Sequence, residues 1–156
     1  MCKDCIAIIL AAGEGKRMKS KIPKALHMAA GKPLAGWVVD AAREATGTAP
    51  VLVIGHGAEQ VREYFGDSVR YAVQEQQLGS GHAVMSAREY LAGEGYAIVA
   101  AGDMPLIRPK TLAGIAQRAM EKNLGACLLT AIADDPTGYG RVIHEGGGVR
   151  IVEHRD

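Results

Sequence analysis

The sequence predicts an α/β fold of Rossmann-like type, in which a mostly parallel sheet carries helices on both faces. Short, continuous apolar runs begin at Cys5, Pro50 and Tyr96, as is typical of strands buried on both sides. Segments with apolar residues at helical spacing lie between them. Because strands and helices alternate from residue 5 to about 133, we expect parallel strands joined by right-handed crossovers.

The elements are predicted in chain order from apolar periodicity and from the glycines and prolines that punctuate it. Cys5–Leu10 is the first strand, and Pro33 begins a helix that extends to about residue 46. The further predicted strands are 50–55, 69–73, 96–101 and 125–133, and the further predicted helices are 58–65, 81–91 and 109–122. A hairpin of strands 140–144 and 149–153, joined by Gly146–Gly148, is expected at the end of the chain.

The loop after the first strand, Leu10–Met18, is the most distinctive stretch. Two alanines and two glycines there let the backbone turn sharply and approach a ligand closely. Five basic residues and one acidic residue lie between Gly13 and Lys24, although the whole chain carries a net charge of only +1. A cationic loop at the carboxyl end of the first strand predicts binding of a small, highly anionic ligand such as a triphosphate.

Two nucleotide-binding motifs are excluded by single positions in this loop. Met18 stands where a dinucleotide fingerprint needs its third glycine, and Leu10 stands where a P-loop needs its first. A solvated, lysine-rich surface loop remains the alternative interpretation. If the loop does bind phosphate, Arg17 and Lys24 are the preferred contacts, with Lys16 third, because guanidinium and ammonium groups suit phosphate oxygens.

Gly102-Asp103 follows the fourth strand at the same expected sheet edge. A carboxylate there suits Mg²⁺, which takes one or two carboxylates together with phosphate oxygens and water. The alternative is an aspartate that caps the turn before Pro105. With a cationic loop at the same edge, we favour a metal-binding role for Asp103.

A polar, glycine-punctuated loop, 74–82, follows the third predicted strand. The amide of Gln74 offers one donor and one acceptor side by side, which matches an edge of uracil. Gly79 lets backbone approach a base, and the hydroxyl of Ser80 can donate or accept a hydrogen bond. The alternative is a surface loop rich in glutamine for solubility.

Length, composition and charge exclude some classes of function. At 156 residues one domain is the default, and the near-neutral charge argues against a nucleic-acid binder. No apolar run is long enough for a membrane span or a signal peptide, so a cytoplasmic location is expected. Cys2 and Cys5 have the spacing of half a zinc site, but no second pair follows, and we expect Cys5 and Cys127 to be small buried apolar residues within strands.

Several of these stretches resemble the sugar-phosphate nucleotidyltransferases. The superfamily signature matches Leu10–Met18 followed by Pro23-Lys24. Within the superfamily, the more specific resemblance is to the uridylyltransferase domain of the bifunctional N-acetylglucosamine-1-phosphate uridyltransferase/glucosamine-1-phosphate acetyltransferases. The stretches that carry it are Gln74–Ala83, Gly102–Leu106, Asp135–Arg141 and Ile151–Glu153.

The resemblance implies uridylyl transfer from UTP to N-acetylglucosamine 1-phosphate, giving UDP-N-acetylglucosamine for peptidoglycan synthesis, with Mg²⁺ as cofactor. Arg17 and Lys24 would bind the phosphates and stabilise charge during transfer, and Asp103 would hold the metal ion. The remaining implied nucleotide and sugar contacts are Leu10, Ala11, Ala12, Gly13, Gln74, Gly79, Ser80, Ala101, Gly102, Gly140 and Glu153.

This chain departs from the family pattern at a few positions. The family usually has Thr where this chain has Ser80, and Tyr is common where Ala101 stands. The family's domain continues past residue 156 with an asparagine that is a second metal ligand, and a trimer-forming acetyltransferase half follows it. We therefore expect residues 1–156 to be a partial nucleotidyltransferase domain, incomplete at its C-terminus and inactive or nearly so alone, from a homotrimeric parent.

Two rival functions stay open at this point. One is a nucleotidyltransferase that acts on another sugar phosphate or alditol phosphate, or that uses CTP. The other is a nucleotide-binding module without activity. Neither nucleic acid nor a membrane is an expected partner.

Overall fold

The computed structural model describes Cys2 and residues 4–15, 18–93 and 95–153. In chain order the strands and helices are β1 (Cys5–Leu10), β2 (Met28–Ala29), β3 (Lys32–Pro33), α1 (Leu34–Thr46), β4 (Val51–Ile54), α2 (Ala58–Phe65), β5 (Arg70–Val73), α3 (Ser80–Ser86), β6 (Tyr96–Ala101), α4 (Pro109–Glu121), β7 (Arg141–Glu145) and β8 (Gly148–Val152).

The central sheet has four strands in the order β5-β4-β1-β6, and every pair in it is parallel. β1 lies inside the sheet, where Leu10 pairs with Val53 of β4 on one side and with Ala101 of β6 on the other. The predicted mostly parallel sheet is therefore confirmed. Because all four strands run in the same direction, the loops that follow them lie at the carboxyl edge of the sheet.

Helices cover both faces of this sheet, also as predicted. Side chains alternate between the faces along a strand, so Ile9 packs in a core with residues of α1, α2 and α4, whereas Ile8 packs with Ala83 and Ala87 on the opposite face. Both isoleucines are completely buried. The continuous apolar runs of the sequence reflect this two-sided burial.

Helix boundaries agree with the prediction except after β5. α1 begins after Pro33 and ends at Gly47, which adopts a left-handed conformation with φ 75°. The predicted helix 81–91 divides into α3 and a 3₁₀ turn over Arg88–Leu91. The division occurs at Ala87, whose amide donates to the carbonyl of Val84, three residues back, instead of continuing the α-helical pattern.

The predicted strand 125–133 is wrong. Those residues contain no strand, although 125–129 lie beside β6 and α4. Leu128 and Leu129 are more than half exposed, and Ile132 is fully exposed. An apolar, β-prone composition suits a pleated and half-buried surface, but a strand also needs a hydrogen-bonded neighbour. Among the described residues none pairs with this segment.

Two antiparallel hairpins complete the fold. β7 and β8 form the predicted one, with a turn at Gly146-Gly147, where φ is 58° and 80° and side chains are rarely tolerated. The pair β2–β3 was not predicted, because each strand has only two residues. Its turn, Ala30-Gly31, has φ values of 50° and 79°.

The cysteine prediction needs a correction. Cys5 is buried at the start of β1, but it forms a disulfide with Cys2 rather than serving as a free apolar side chain. Cys127 is half-buried and lies outside any strand. The two cysteines are three positions apart, and their Cα atoms lie 5.4 Å from each other, a separation that a disulfide spans. Within the described ranges, each helix is too short or too polar to cross a lipid bilayer.

Candidate active site

A pocket of about 390 Å³ opens at the carboxyl edge of the sheet, where the loops after β1, β5 and β6 meet. Backbone hydrogen bonds fix these loops to the strand ends. The amide of Ala11 donates to Val53 (2.9 Å), that of Gly102 to Leu10 (2.9 Å), and that of Gln74 to Ile54 (2.8 Å). The pocket is lined by Leu10, Ala11, Ala12, Gly13, Lys24, Ala25, Gln74, Gln77, Gly79, Ser80, Ala83, Ala101, Gly102 and Asp103.

The site residues predicted from the sequence line this pocket, with four exceptions. Arg17 lies outside the described residues, as does the third candidate cation, Lys16. Gly140 and Glu153 lie next to each other, since a Cβ on Gly140 would be 3.4 Å from Oε2 of Glu153, but they do not line the pocket. The predicted roles of all these residues, those that line the pocket included, stay predictions.

Gly13 and Gly102 both line the pocket, but they have different structural roles. A Cβ on Gly13, which lines the pocket, would meet no atom of the described residues within 4 Å. Gly102 is different, because a Cβ there would lie 3.0 Å from the carbonyl oxygen of Leu10. Gly13 therefore leaves room for a ligand, whereas Gly102 lets β6 end close against β1.

Lys24 and Asp103 face each other in the pocket and form an ion pair between Nζ and Oδ2. Lys24 opens a 3₁₀ turn that follows Pro23, and Asp103 is the second residue after β6. Gly15, with φ 63°, passes so near the stem of Lys24 that a Cβ would lie 2.9 Å from the lysine Cβ. The loop thereby holds the ammonium group toward the sheet edge.

The carboxylate of Asp103 is suited to binding a divalent cation such as Mg²⁺. Both side chains of the Lys24–Asp103 pair are about one-third exposed, so the carboxylate is accessible to an incoming metal ion and its water. No group of three or more acidic, histidine or cysteine side chains suited to a metal ion occurs in the part of the chain that the structure describes. A single carboxylate suits Mg²⁺ when phosphate oxygens and water supply the other ligands.

Gln74 lines the pocket and is only 5% exposed. Its Nε2 donates to the carbonyl oxygen of Gly79 (3.2 Å) and lies 3.0 Å from Nδ1 of His82. The sequence suggested that the amide offers both a donor and an acceptor to a base. Both of these contacts are made by the amide nitrogen, so the predicted contact with a base depends on the oxygen.

Sequence reasoning missed Gln77, whose Nε2 donates to the carbonyl oxygen of Ala12 (2.7 Å). This bond ties the glutamine loop to the loop after β1 across the pocket. The one sequence signal that could have indicated Gln77 is that it lies in the same polar loop as Gln74. Ala25 and Ala83 also line the pocket, but small apolar residues carry no signal for such a role.

The turn Asp135–Gly138 precedes the hairpin and does not line the pocket. The hydroxyl and the backbone amide of Thr137 stabilise the ionised carboxylate of Asp135 and lower its pKa. The amide of Tyr139 donates to the carbonyl of Pro136 (3.1 Å) and closes the turn. These hydrogen bonds stabilise the turn within Asp135–Arg141, one of the stretches that carry the family resemblance. The role they indicate for this stretch is structural, since the turn connects through Gly140 to β7.

A family model described as "MobA-like NTP transferase domain" matches residues 7–142. Curated relatives described as "Bifunctional protein GlmU" include that of Caldanaerobacter subterraneus, 48% identical over 99% of this chain, and that of Bacillus subtilis, 46% identical over 96% of it. The chain spans about a third, 34%, of the length of each of these relatives.

Solved structures show the same architecture. "A nucleotidyl transferase" from Methanothermobacter is 29% identical, with a TM-score of 0.62, and the match covers 72% of this chain and 56% of that one. A "Putative Glucose-1-Phosphate Thymidylyltransferase" from Bacillus anthracis has a TM-score of 0.82 over 97% of this chain and 65% of its own. At 20% identity the latter likeness concerns the fold alone.

Proposed function

The chain belongs to the family of MobA-like NTP transferase domains, and on that premise we propose that it transfers the uridylyl group of UTP to N-acetylglucosamine 1-phosphate. The products would be UDP-N-acetylglucosamine and pyrophosphate. One observation carries the proposal: Lys24 and Asp103 face each other in a pocket that is also lined by the small-residue loop after β1 and by Gln74. The near-complete match to the GlmU relatives supports the choice within the family.

The reaction needs little covalent work from protein side chains. A phosphate oxygen of the sugar 1-phosphate forms a bond to the α-phosphorus of UTP, and the bond from that phosphorus to the bridging oxygen of the β-phosphate breaks. Pyrophosphate leaves with the electron pair. Because the attacking phosphate is already an anion at neutral pH, no general base is required.

The barrier is the approach of one anion to another. Lys24 would bind phosphate oxygens and neutralise the charge that develops during transfer, which is the electrostatic contribution expected of a preorganised cation. Arg17 is the second cation of the proposal. Leu10–Gly13 would lie against the nucleotide, since Gly13 leaves open space where a side chain would otherwise stand.

Asp103 would hold Mg²⁺, and it is free to do so once the phosphates draw Lys24 away from it. The ion, when bound, neutralises phosphate charge and orients the triphosphate for in-line attack. Gly79, Ser80 and Gln74 would surround the base. Gly140 and Glu153 are proposed to contact the N-acetylglucosamine moiety.

Three broader features belong to the same proposal. They are a cytoplasmic location, a role in peptidoglycan precursor synthesis and a homotrimeric parent protein. Each depends on the likeness to the bifunctional relatives, of which this chain spans only a third.

The proposal is tested by grafting residues 1–156 in place of the matching residues of the Bacillus subtilis relative and measuring pyrophosphate release. We expect release with UTP and N-acetylglucosamine 1-phosphate, and loss of it in the same graft carrying Lys24→Ala. A folded graft that favours CTP or another sugar phosphate would support the rival nucleotidyltransferase. One that binds nucleotide but releases no pyrophosphate with any acceptor would support the rival binding module.

A further inference from the structure

The contacts of Gln74 fix the orientation of its side-chain amide. The atom 3.2 Å from the carbonyl oxygen of Gly79 must be the amide nitrogen, because a carbonyl can only accept a hydrogen bond. This nitrogen carries two hydrogens. The second is directed at Nδ1 of His82, 3.0 Å away.

His82 must therefore accept at Nδ1. In a neutral imidazole one nitrogen donates and the other accepts, so the proton of His82 lies on Nε2. Both hydrogens of the Gln74 amide are then engaged by protein groups. Only Oε1, an acceptor, is left for a ligand in the pocket.

A lone acceptor discriminates between pyrimidines. Uracil carries an N–H at ring position 3, whereas the same position in cytosine is an unprotonated nitrogen that only accepts. Oε1 would accept a hydrogen bond from uracil and face the lone pair of cytosine. A buried polar group built for one partner strongly disfavours the analogue that leaves it unpaired.

From these contacts we infer that His82, though outside the pocket lining, is a positioning residue that selects UTP over CTP by holding the amide of Gln74 with its oxygen toward the base. This rests on the proposed function, because the proposal supplies the pyrimidine nucleotide. Without the His82 acceptor, the bond to Gly79 is the one remaining hydrogen bond that the described residues give the amide nitrogen, and a released N–H can reach the cytosine nitrogen. His82 itself does not touch the nucleotide.

The matched variants are His82→Leu, which removes the acceptor, and His82→Asn, whose Oδ1 restores one near the position of Nδ1. His144→Leu, at an exposed position of β7, makes the same change away from the pocket. Calorimetric titrations with UTP and CTP, each with excess Mg²⁺, give the ratio of the two dissociation constants for every variant. Thermal unfolding of each variant verifies that it is folded.

We expect the preference of the unaltered chain for UTP to fall roughly tenfold in His82→Leu, the order of one neutral hydrogen bond. His82→Asn and His144→Leu should keep the ratio within about threefold. A merely structural role for His82 would weaken both nucleotides equally and leave the ratio unchanged, which would overturn the inference. If the unaltered chain binds CTP as well as UTP, the proposed function fails instead.

A second measurement needs no variant. Nitrogen-15 chemical shifts of the imidazole distinguish a protonated from an unprotonated ring nitrogen in the folded chain. We expect an unprotonated Nδ1 and a protonated Nε2 at pH 8. A proton on Nδ1 at that pH would overturn the inference whatever the nucleotide titrations show.

Discussion

Lys24 and Asp103, from the loop after β1 and the end of β6, form an ion pair within the pocket at the carboxyl edge of the sheet. Each side chain is about 36% exposed, and an ion pair with this exposure contributes little to stability. The pair can therefore separate at small cost. A nucleoside triphosphate with its metal ion would offer Lys24 an anion and Asp103 a cation in exchange.

Lys24→Ala should weaken UTP binding about 10- to 100-fold, because a charge-assisted contact to phosphate is lost. Calorimetric titration of the chain with UTP and Mg²⁺ measures the change. Lys110→Ala is the matched control, since it removes the same charge from an exposed position on α4 outside the pocket lining. Equal effects of the two substitutions would mean that Lys24 acts only through net charge.

Asp103→Asn should abolish the dependence of UTP affinity on Mg²⁺. In the unaltered chain we expect a chelator to weaken UTP binding by tenfold or more, whereas in the variant the affinities with and without Mg²⁺ should agree within about twofold. Asp67→Asn, at an exposed position between α2 and β5, should retain the dependence. A variant that still responds fully to Mg²⁺ would show that Asp103 is not the ligand.

Gly13→Ala should weaken UTP binding while leaving the fold intact. The added methyl group would meet no atom of the described residues within 4 Å, and it would stand at a residue that lines the pocket. We expect the midpoint of thermal unfolding to stay the same or to rise slightly, because alanine restricts the unfolded chain. Loss of affinity without loss of stability is the informative result.

Gly114→Ala provides the comparison for that experiment. Gly114 lies within α4, where a Cβ would likewise meet nothing within 4 Å in the part of the chain that the structure describes. Alanine there should stabilise the helix by up to about 1 kcal/mol and leave UTP affinity unchanged. If Gly13→Ala behaves in the same way, the open space beside Gly13 does not hold the nucleotide.

Gln77→Ala should weaken UTP binding by about three- to tenfold, the range expected for one lost hydrogen bond that holds a loop in place. The bond from its Nε2 to Ala12 joins two sides of the pocket. Gln117→Ala, on the exposed surface of α4, removes a side-chain bond to Glu121 and should have no effect on UTP affinity. An unchanged affinity in Gln77→Ala would mean that the loop after β1 is held without it.

The sequence was sufficient to predict the positions of Asp103 and Gln74, because each follows a strand whose apolar run marks where it ends. In a parallel sheet those ends must meet at one edge. The role of Gln77 could not be predicted in the same way, since it depends on a hydrogen bond to the carbonyl oxygen of Ala12 across the pocket. Such contacts between loops have no local sequence pattern.

The prediction of a strand at 125–133 failed for a related reason. Apolar β-prone residues such as Leu128 and Ile132 indicate what a segment could do, whereas pairing depends on a neighbour elsewhere in the fold. The orientation of the Gln74 amide could not be predicted from the sequence either. That orientation depends on the contacts of the amide nitrogen with Gly79 and His82. The composition of the loop does not indicate that these residues contact Gln74.

We propose that the pocket at the carboxyl edge of the sheet binds UTP with Mg²⁺. The most direct test is to titrate the nitrogen-15-labelled chain with UTP and Mg²⁺ and to map the backbone amide shifts. We expect saturable shifts that concentrate at Ala11–Gly13, Gly79 and Gly102-Asp103. Shifts confined to other surfaces, such as the face between β6 and α4, or no saturable shifts at all, would show that the nucleotide does not bind in this pocket.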